Sequence, residues 1–356
     1  MTPLIDSSPA MALRFGINGL GRVGRALLRI ARGREELRLA AVNDVVPAPV
    51  LARLLARDTV HGPFEGRVEA GDSGLVIDGR PVPVFQQSDP ARVDWAGAGV
   101  EVVVEATGRF LGRERAAAHL GGSVRRVVIS ANADPADPAD VSICLGLSPL
   151  SRCDFDPDRH AVISNASCTT NALALVAKVL HDGFGVRRAL MSAVHSYTEN
   201  QRLLDLPHPD PRRSRAAGLN IVPTSTTAPE ALGLLIPELA GRVEGLAVRV
   251  PTPMVAMLDL VAELEREATA EAVRQAFRDA ANPADGPLAG VLGVTEEELV
   301  SSDFINDPRS AVVDLPLVQI VDGGLVRVVA WYDNEWGYAH RLADLLSLMA
   351  GRDRLA

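Results

Sequence analysis

Gly19, Gly21 and Gly24 form a G-x-G-x-x-G run that follows the apolar segment Leu13–Asn18 and opens a helical pattern over Arg22–Arg32. In that pattern Val23, Leu27 and Ile30 share one face, and Gly33 is expected to stop the helix. Glycines at this spacing allow a tight strand-to-helix turn, close approach of backbone to a pyrophosphate and close packing of helix on strand, the signature of a βαβ dinucleotide unit. A second apolar run, Leu39–Asn43, ends at Asp44, twenty residues past Gly24. A carboxylate there accepts hydrogen bonds from ribose hydroxyls and repels a 2′-phosphate, which selects NAD over NADP. Further runs at Val100–Glu105 and Val127–Ser130 are short and rich in β-branched residues, as buried parallel strands are.

At 356 residues the chain exceeds what one core usually supports, so two closely packed domains are expected. With 47% hydrophobic and 23% charged residues it is a folded chain, not a disordered one. A formal net charge of −9 leaves no basic field for nucleic acid or an anionic membrane, and no apolar run reaches spanning length. Three cysteines, Cys144, Cys153 and Cys168, are too few for a disulfide framework and lack metal-ligand spacing, so no metal is expected and a cytoplasmic setting fits. Residues 1–10 carry neither a basic nor an apolar signal region and precede Met11 and the first strand. They are read as a disordered extension.

Past the first domain, Ser164–Asn171 leads into a helical stretch over Leu173–Leu180 that is apolar nearly all round. Cys168 stands at its head, where the positive end of the helix lowers a thiol pKa. The free first-turn amides and the hydroxyls of Ser167, Thr169 and Thr170 can hold an oxyanion or phosphate. His195 ends the apolar run Ala189–Val194 and has the chemistry of a general base for a cysteine. On the residues alone, a buried inert thiol and a structural histidine remain open alternatives. The stretch from His195 to Asn220, with Pro207, Pro209, Pro211 and Arg212, Arg213, Arg215, reads as a functional loop. Strand-like runs return at Leu246–Val250, Val255–Glu263, Ala311–Leu317 and Leu325–Tyr332, before a final helix around His340–Met349.

The run Asn18–Arg25 with Ser164–Asn171 resembles the phosphorylating glyceraldehyde-3-phosphate dehydrogenase family. The resemblance continues through Asp58–Gly62, Thr107–Phe110, His195–Thr198, Arg249–Pro253 and Trp331–Tyr338. It implies an α/β fold: a Rossmann domain of doubly wound parallel sheet over 11–166, an α+β catalytic domain over 167–334, and a C-terminal helix, 335–356, packing back on the first domain. It also implies oxidation of an aldehyde phosphate by NAD with inorganic phosphate as acyl acceptor, Cys168 as nucleophile and His195 as its base. By the same resemblance Gly19, Gly21, Arg22, Val23, Gly24, Asp44, Thr107, Gly108, Ser130, Asn334 and Tyr338 bind the cofactor, with Asn334 orienting the carboxamide. Thr198 and Arg249 meet one phosphate; Ser167, Thr169, Arg212, Thr226 and Thr227 meet the other. Leu206-Pro207 matches NAD-preferring members, and the loop over 196–220 matches one that crosses an interface in homotetramers.

Some positions depart from the family pattern. Thr227 stands where glycine is usual, and Pro229 and Glu230 replace alanine and lysine; Met254, Asn200 and Ser88 also differ. These changes keep two alternatives open: a relative acting on erythrose 4-phosphate or in arsenate detoxification, and an NAD-binding regulatory protein with weak catalysis.

Overall fold

The computed structural model describes residues 12–147, 155–284 and 286–352, so the extension read at 1–10 and Cys153 lie outside the described residues. The first sheet begins with β1 (Leu13–Asn18), α1 (Arg22–Ala31), β2 (Leu37–Asn43) and α2 (Ala48–Ala56). A short pair, β3 (Arg57–Asp58) and β4 (Gly62–Pro63), precedes an antiparallel meander of β5 (Val68–Gly71), β6 (Gly74–Ile77) and β7 (Arg80–Phe85). The sheet is completed by β8 (Val102–Glu105), α3 (Arg113–Ala117), β9 (Arg126–Ile129), β10 (Val141–Ser142) and β11 (Val162–Ser164). Strand order is β10-β11-β9-β8-β1-β2-β7-β6-β5, parallel from β10 to β7. Connections leave β1 toward β2 on one side and return through β8 on the other. The carboxyl ends of β1 and β8 therefore flank a switch point, where open α/β sheets bind ligands.

The apolar runs become strands because both faces are covered: every residue of β8 and β9 is buried. Helix α1 ends differently from the expectation. Arg32 stays in helical backbone and the Gly33 amide bonds Ile30 O at 3.1 Å, so no left-handed glycine is used.

The second sheet is mixed, with β12 (Val186–Ser196), β13 (Val222–Thr224), β14 (Val243–Val250), β15 (Ala256–Leu264), β16 (Leu292–Thr295), β17 (Ala311–Asp314) and β19 (Leu325–Tyr332) in the order β13-β14-β12-β15-β19-β17-β16. A short β18 (Gln319–Val321) pairs with β19. Of the run expected as a strand over Ala311–Leu317, the last three residues form a 3-10 turn around Pro316, which cannot donate to a ladder. One face of β15, Ala256, Leu258, Leu260, Ala262 and Leu264, packs against α4 (Cys168–Phe184). That helix is buried over nearly its whole first three turns, as its all-round apolar pattern requires. Helices α5 (Ala228–Leu235) and α6 (Ala270–Ala281) complete this layer. The last helix, α7 (Trp336–Arg352), places Ala339, Leu342, Leu345, Leu346 and Met349 in the core of the first sheet, beside α1 and β1.

Candidate active site

A crevice of about 650 Å³ runs from Asp44 to Cys168 along the switch point. The three motif glycines have three separate jobs. Gly19 has φ +94, and a side chain there would meet the Thr107 backbone at 2.9 Å. Gly24 packs so tightly that a Cβ would sit 2.3 Å from Gly19 O, whereas Gly21 faces open space with nothing within 4 Å. Gly21 heads α1 with no side-chain cap, so free first-turn amides point where a pyrophosphate fits. Asp44 accepts from the Leu20 amide at 2.8 Å and the Val46 amide at 3.0 Å, which fixes its carboxylate at the crevice wall. Gly108, at φ +69, also has open space beside it. Together these residues fit NAD.

Under the crevice lies a buried polar network that the sequence pattern did not disclose. Glu105 takes hydrogen bonds from the Thr107 amide at 2.8 Å, the Thr107 hydroxyl, Asn18 Nδ2 and His119 Nε2. The indole of Trp95 can only donate, so His119 Nδ1 accepts from it and Nε2 carries the proton toward Glu105. Asn18 in turn accepts from Asn43, whose carboxamide bonds both backbone groups of Gln87. The side chains of β1, β2 and β8 are thereby set at fixed angles below the crevice.

At the other end, β11 turns into α4 through Ala166, a non-glycine residue at φ +53. Its carbonyl accepts from the Tyr338 hydroxyl at 2.8 Å, and Ser167 Oγ caps α4 by accepting the Thr170 amide at 3.1 Å. Cys168 is thus delivered at the helix head, with Sγ 3.7 Å from His195 Nε2. Parallel pairing of β12 with β14 sets His195 directly opposite Arg249, whose Nη1 bonds Ser196 O at 2.9 Å and lies 2.6 Å from His195 Nδ1. His195 Nδ1 lies 2.8 Å from Ser196 O as well as beside the guanidinium, and Nε2 is the nitrogen facing the thiol; when the ring proton sits on Nδ1 and is donated to Ser196 O, Nε2 keeps a free lone pair.

Burial dominates the electrostatics. It pushes the Cys168 thiol up, against the opposing charge of Arg249 and a hydrogen bond from Thr169, so the helix head alone does not set the thiol. Burial and Arg249 together push His195 down to about 3. Thr169 is not among the crevice walls: its hydroxyl shares a 2.9 Å hydrogen bond with the buried Tyr332 hydroxyl and lies 3.9 Å from Cys168 Sγ. Asn334 accepts from Ser196 Oγ at 3.1 Å, which leaves its amide nitrogen for the crevice.

The crevice gathers Gly19, Gly21, Arg22, Val23, Asp44, Thr107, Gly108, Ser130, Ser167, Cys168, His195, Thr198, Arg249, Asn334 and Tyr338. Gly24 supports it from behind. Thr226 and Thr227 stand outside its walls at the head of α5. Arg212, expected at the second phosphate, is exposed and lines a separate hollow with Asp210 and Leu246. The next guanidinium, Arg213, is less exposed, donates to Thr224 Oγ1 at 2.7 Å, and adds its charge to the burial that lowers Arg249. Among the described residues no cluster of His, Cys, Asp or Glu could hold a metal, and no helix is long and apolar enough to cross a membrane.

Comparison with known proteins adds an independent line. The family description "Glyceraldehyde 3-phosphate dehydrogenase, NAD binding domain" matches residues 13–113, and "Glyceraldehyde 3-phosphate dehydrogenase, C-terminal domain" matches residues 167–334. The chain is 47% identical over 342 residues to glyceraldehyde-3-phosphate dehydrogenase of Geobacillus stearothermophilus, covering 96% of this chain and 99% of that one. It is 47% identical over 340 residues to glyceraldehyde-3-phosphate dehydrogenase 1 of Bacillus subtilis, with 96% and 99% covered. Against the Kitasatospora aureofaciens enzyme it is 46% identical over 340 residues, with 95% and 99% covered. With a dinucleotide crevice ending on a paired thiol and imidazole, and both family regions matched in order, the chain belongs to the glyceraldehyde 3-phosphate dehydrogenase family.

Proposed function

We propose that this protein oxidises glyceraldehyde 3-phosphate with NAD and passes the acyl group to inorganic phosphate, yielding 1,3-bisphosphoglycerate. The observation that carries the reading is Cys168 Sγ standing 3.7 Å from His195 Nε2 at the end of the dinucleotide crevice, with Arg249 beside both. His195 Nε2 takes the thiol proton as sulfur bonds the aldehyde carbon, and returns it to the nascent oxyanion to give a thiohemiacetal. The chemistry supplied by NAD when bound is acceptance of the hydride from that carbon. His195 then removes the hydroxyl proton, which leaves a thioester on Cys168. Attack by a phosphate oxygen on the thioester carbon frees the thiolate and the acyl phosphate.

Arg249 and Thr198 face the crevice beside Cys168 and suit the phosphate carried by the aldehyde. The second anion falls to Ser167, Thr226, Thr227 and Arg213. In domain terms, residues 11–166 together with 335–356 hold the cofactor and 167–334 carries the chemistry. Leu203, Leu204, Leu206, Leu219 and Ile221 are 58–87% exposed along one loop, and Leu190 and Leu246 are exposed on the sheet. Such an apolar surface supports a homo-oligomer, a tetramer by the family's habit. Cys144 and Cys168 are free thiols, which suits the reducing cytoplasm.

The test is NADH formation by the purified protein with glyceraldehyde 3-phosphate or erythrose 4-phosphate, each with and without inorganic phosphate, beside Cys168→Ser. Phosphate-dependent turnover preferring the triose phosphate and absent in Cys168→Ser is expected. Preference for the tetrose, or NADH formed equally without phosphate, replaces the substrate or the acceptor. NAD binding without thiol-dependent turnover replaces the enzyme with a binding protein.

A further inference from the structure

Asn132 lies just beyond β9 in the first domain, and its carboxamide joins two segments of the second. Its Nδ2 donates to Thr227 Oγ1 at 2.9 Å and approaches Thr227 O at 3.4 Å, while its Oδ1 accepts from Thr170 Oγ1 at 3.1 Å. Thr170 Oγ1 is 2.7 Å from Ser167 Oγ, and Ser167 Oγ also accepts the Thr170 amide at 3.1 Å. The direction of this chain follows from chemistry. A carbonyl can only accept, so the amide nitrogen of Asn132 faces Thr227. Thr170 therefore gives its proton to Asn132 and takes one from Ser167. The hydroxyl proton left uncommitted is that of Thr227.

Thr227 itself is free to present that proton. Its backbone, at φ −97 and ψ 12, suits a β-branched residue, and its side chain makes no capping bond to α5. The capping contact comes from Thr226 Oγ1, which accepts the Ala228 amide at 3.2 Å. Thr227 is exposed, and Glu230 lies in the first turn of the same helix, so an anion arriving there meets a carboxylate that a fixed donor must offset.

We propose that Asn132 is a positioning residue for the acceptor anion. By holding Thr227 Oγ1 as an acceptor it aims the hydroxyl proton outward, toward a tetrahedral oxyanion, and through Thr170 and Ser167 it ties that donor to the head of the helix bearing Cys168. This rests on inorganic phosphate being the acyl acceptor. No proton is transferred, because Thr227 supplies a hydrogen bond only.

The experiment compares wild type with Asn132→Ala, Thr227→Val, the double variant and Thr227→Ser. For each, KM is measured for inorganic phosphate, for the aldehyde and for NAD, and inorganic phosphate is titrated as protection of Cys168 against iodoacetamide. Asn132→Ala and Thr227→Val should each raise the phosphate KM about tenfold to a hundredfold, the loss of one hydrogen bond to a charged group, and shift the protection midpoint equally. Aldehyde and NAD KM values stay within twofold, the double variant is no worse than either single one, and Thr227→Ser restores the wild-type value. An unchanged phosphate KM in a folded Asn132→Ala, or aldehyde and NAD values rising in step with it, overturns the assignment. If wild type forms NADH without phosphate, the acceptor reading fails on its own. The protection midpoint then decides: a shift in Asn132→Ala retains the anion donor, and its absence removes it.

Discussion

Two alanine substitutions one turn apart in the glycine motif should fail in opposite ways. In Gly24→Ala the new methyl lies 2.3 Å from Gly19 O and 3.2 Å from Ile17 Cγ2, against a comfortable carbon contact of about 3.5 Å or more. The obstacle is backbone, which cannot swing aside, so the overpacking cost falls toward the top of a range of about 1–3 kcal/mol. Gained helix propensity offsets about 1 kcal/mol of it. A net loss of about 2 kcal/mol is expected in the absence of any cofactor. In Gly21→Ala the methyl enters open space at extended backbone, φ −70 and ψ −157, and the cofactor-free protein keeps its stability. The methyl then occupies the path of the pyrophosphate. At a concentration one hundred times its Kd, NAD stabilises wild type by about 2.7 kcal/mol; a hundredfold loss of affinity leaves about 0.4 kcal/mol of that. Denaturant unfolding with and without NAD reads both terms. Equal loss of cofactor-free stability in both variants, or an undiminished NAD effect in Gly21→Ala, refutes this division of labour.

Other expectations follow from the site. Tyr338→Phe removes the bond to Ala166 O and should cost about 1–3 kcal/mol while lowering kcat; a variant of wild-type stability and rate denies the hydroxyl any hold on the turn. Because Arg249 opposes the upward push of burial on Cys168, Arg249→Met should move the pH midpoint of iodoacetamide labelling higher, and an unmoved midpoint removes that coupling. His195, held down at about 3 from an ordinary 6.5, binds fewer protons folded than unfolded, so its contribution is whole above pH 6.5 and declines as pH falls toward 3. The slope is about 1.4 kcal/mol per pH unit, and His195→Gln should flatten it between pH 6.5 and 5. His61, raised by hydrogen bonds to Glu335 and Asn306 that outweigh burial, has the opposite sign. Its contribution is present below pH 6.5 and lost as pH rises through its folded value, so His61→Gln should cost stability on the acid side only.

What could be read in advance was what neighbours in the chain decide. The unit β1-α1-β2 with Asp44 is local, and the fully apolar Leu173–Leu180 announced a buried helix. β19 emerged as Leu325–Tyr332 because its apolar pattern ends where Asp333 begins capping α7. The meander β5–β7 escaped because its strands are interrupted by glycine and proline and lie at the sheet edge, where pairing partners rather than pattern define them. In the site, Cys168 and His195 could be named but not joined; their contact depends on β12 running back beside the head of α4. Arg212 and Arg213 are adjacent, and only the path of the loop decides which one is less exposed. Glu105 and His119 went unnoticed because a buried carboxylate looks, in a sequence, like the polar end of a strand. For Cys168, position at a helix head was visible while the surrounding burial, which acts in the opposite direction, was not.

The Tyr338 bond to Ala166 also sets an order of events in the life of the molecule. Ala166 is held in a left-handed turn by a hydroxyl from α7, which leaves a ribosome well after it because Tyr338 follows 172 residues later, and α7 also closes the core of the first sheet. During synthesis the residues that make Cys168 chemically competent are therefore complete in composition long before they are complete in space. The nascent chain carries its nucleophile on an unbraced turn until α7 docks. A product shortened before Trp336 keeps every group of the thiol–imidazole pair and lacks the brace that arms it.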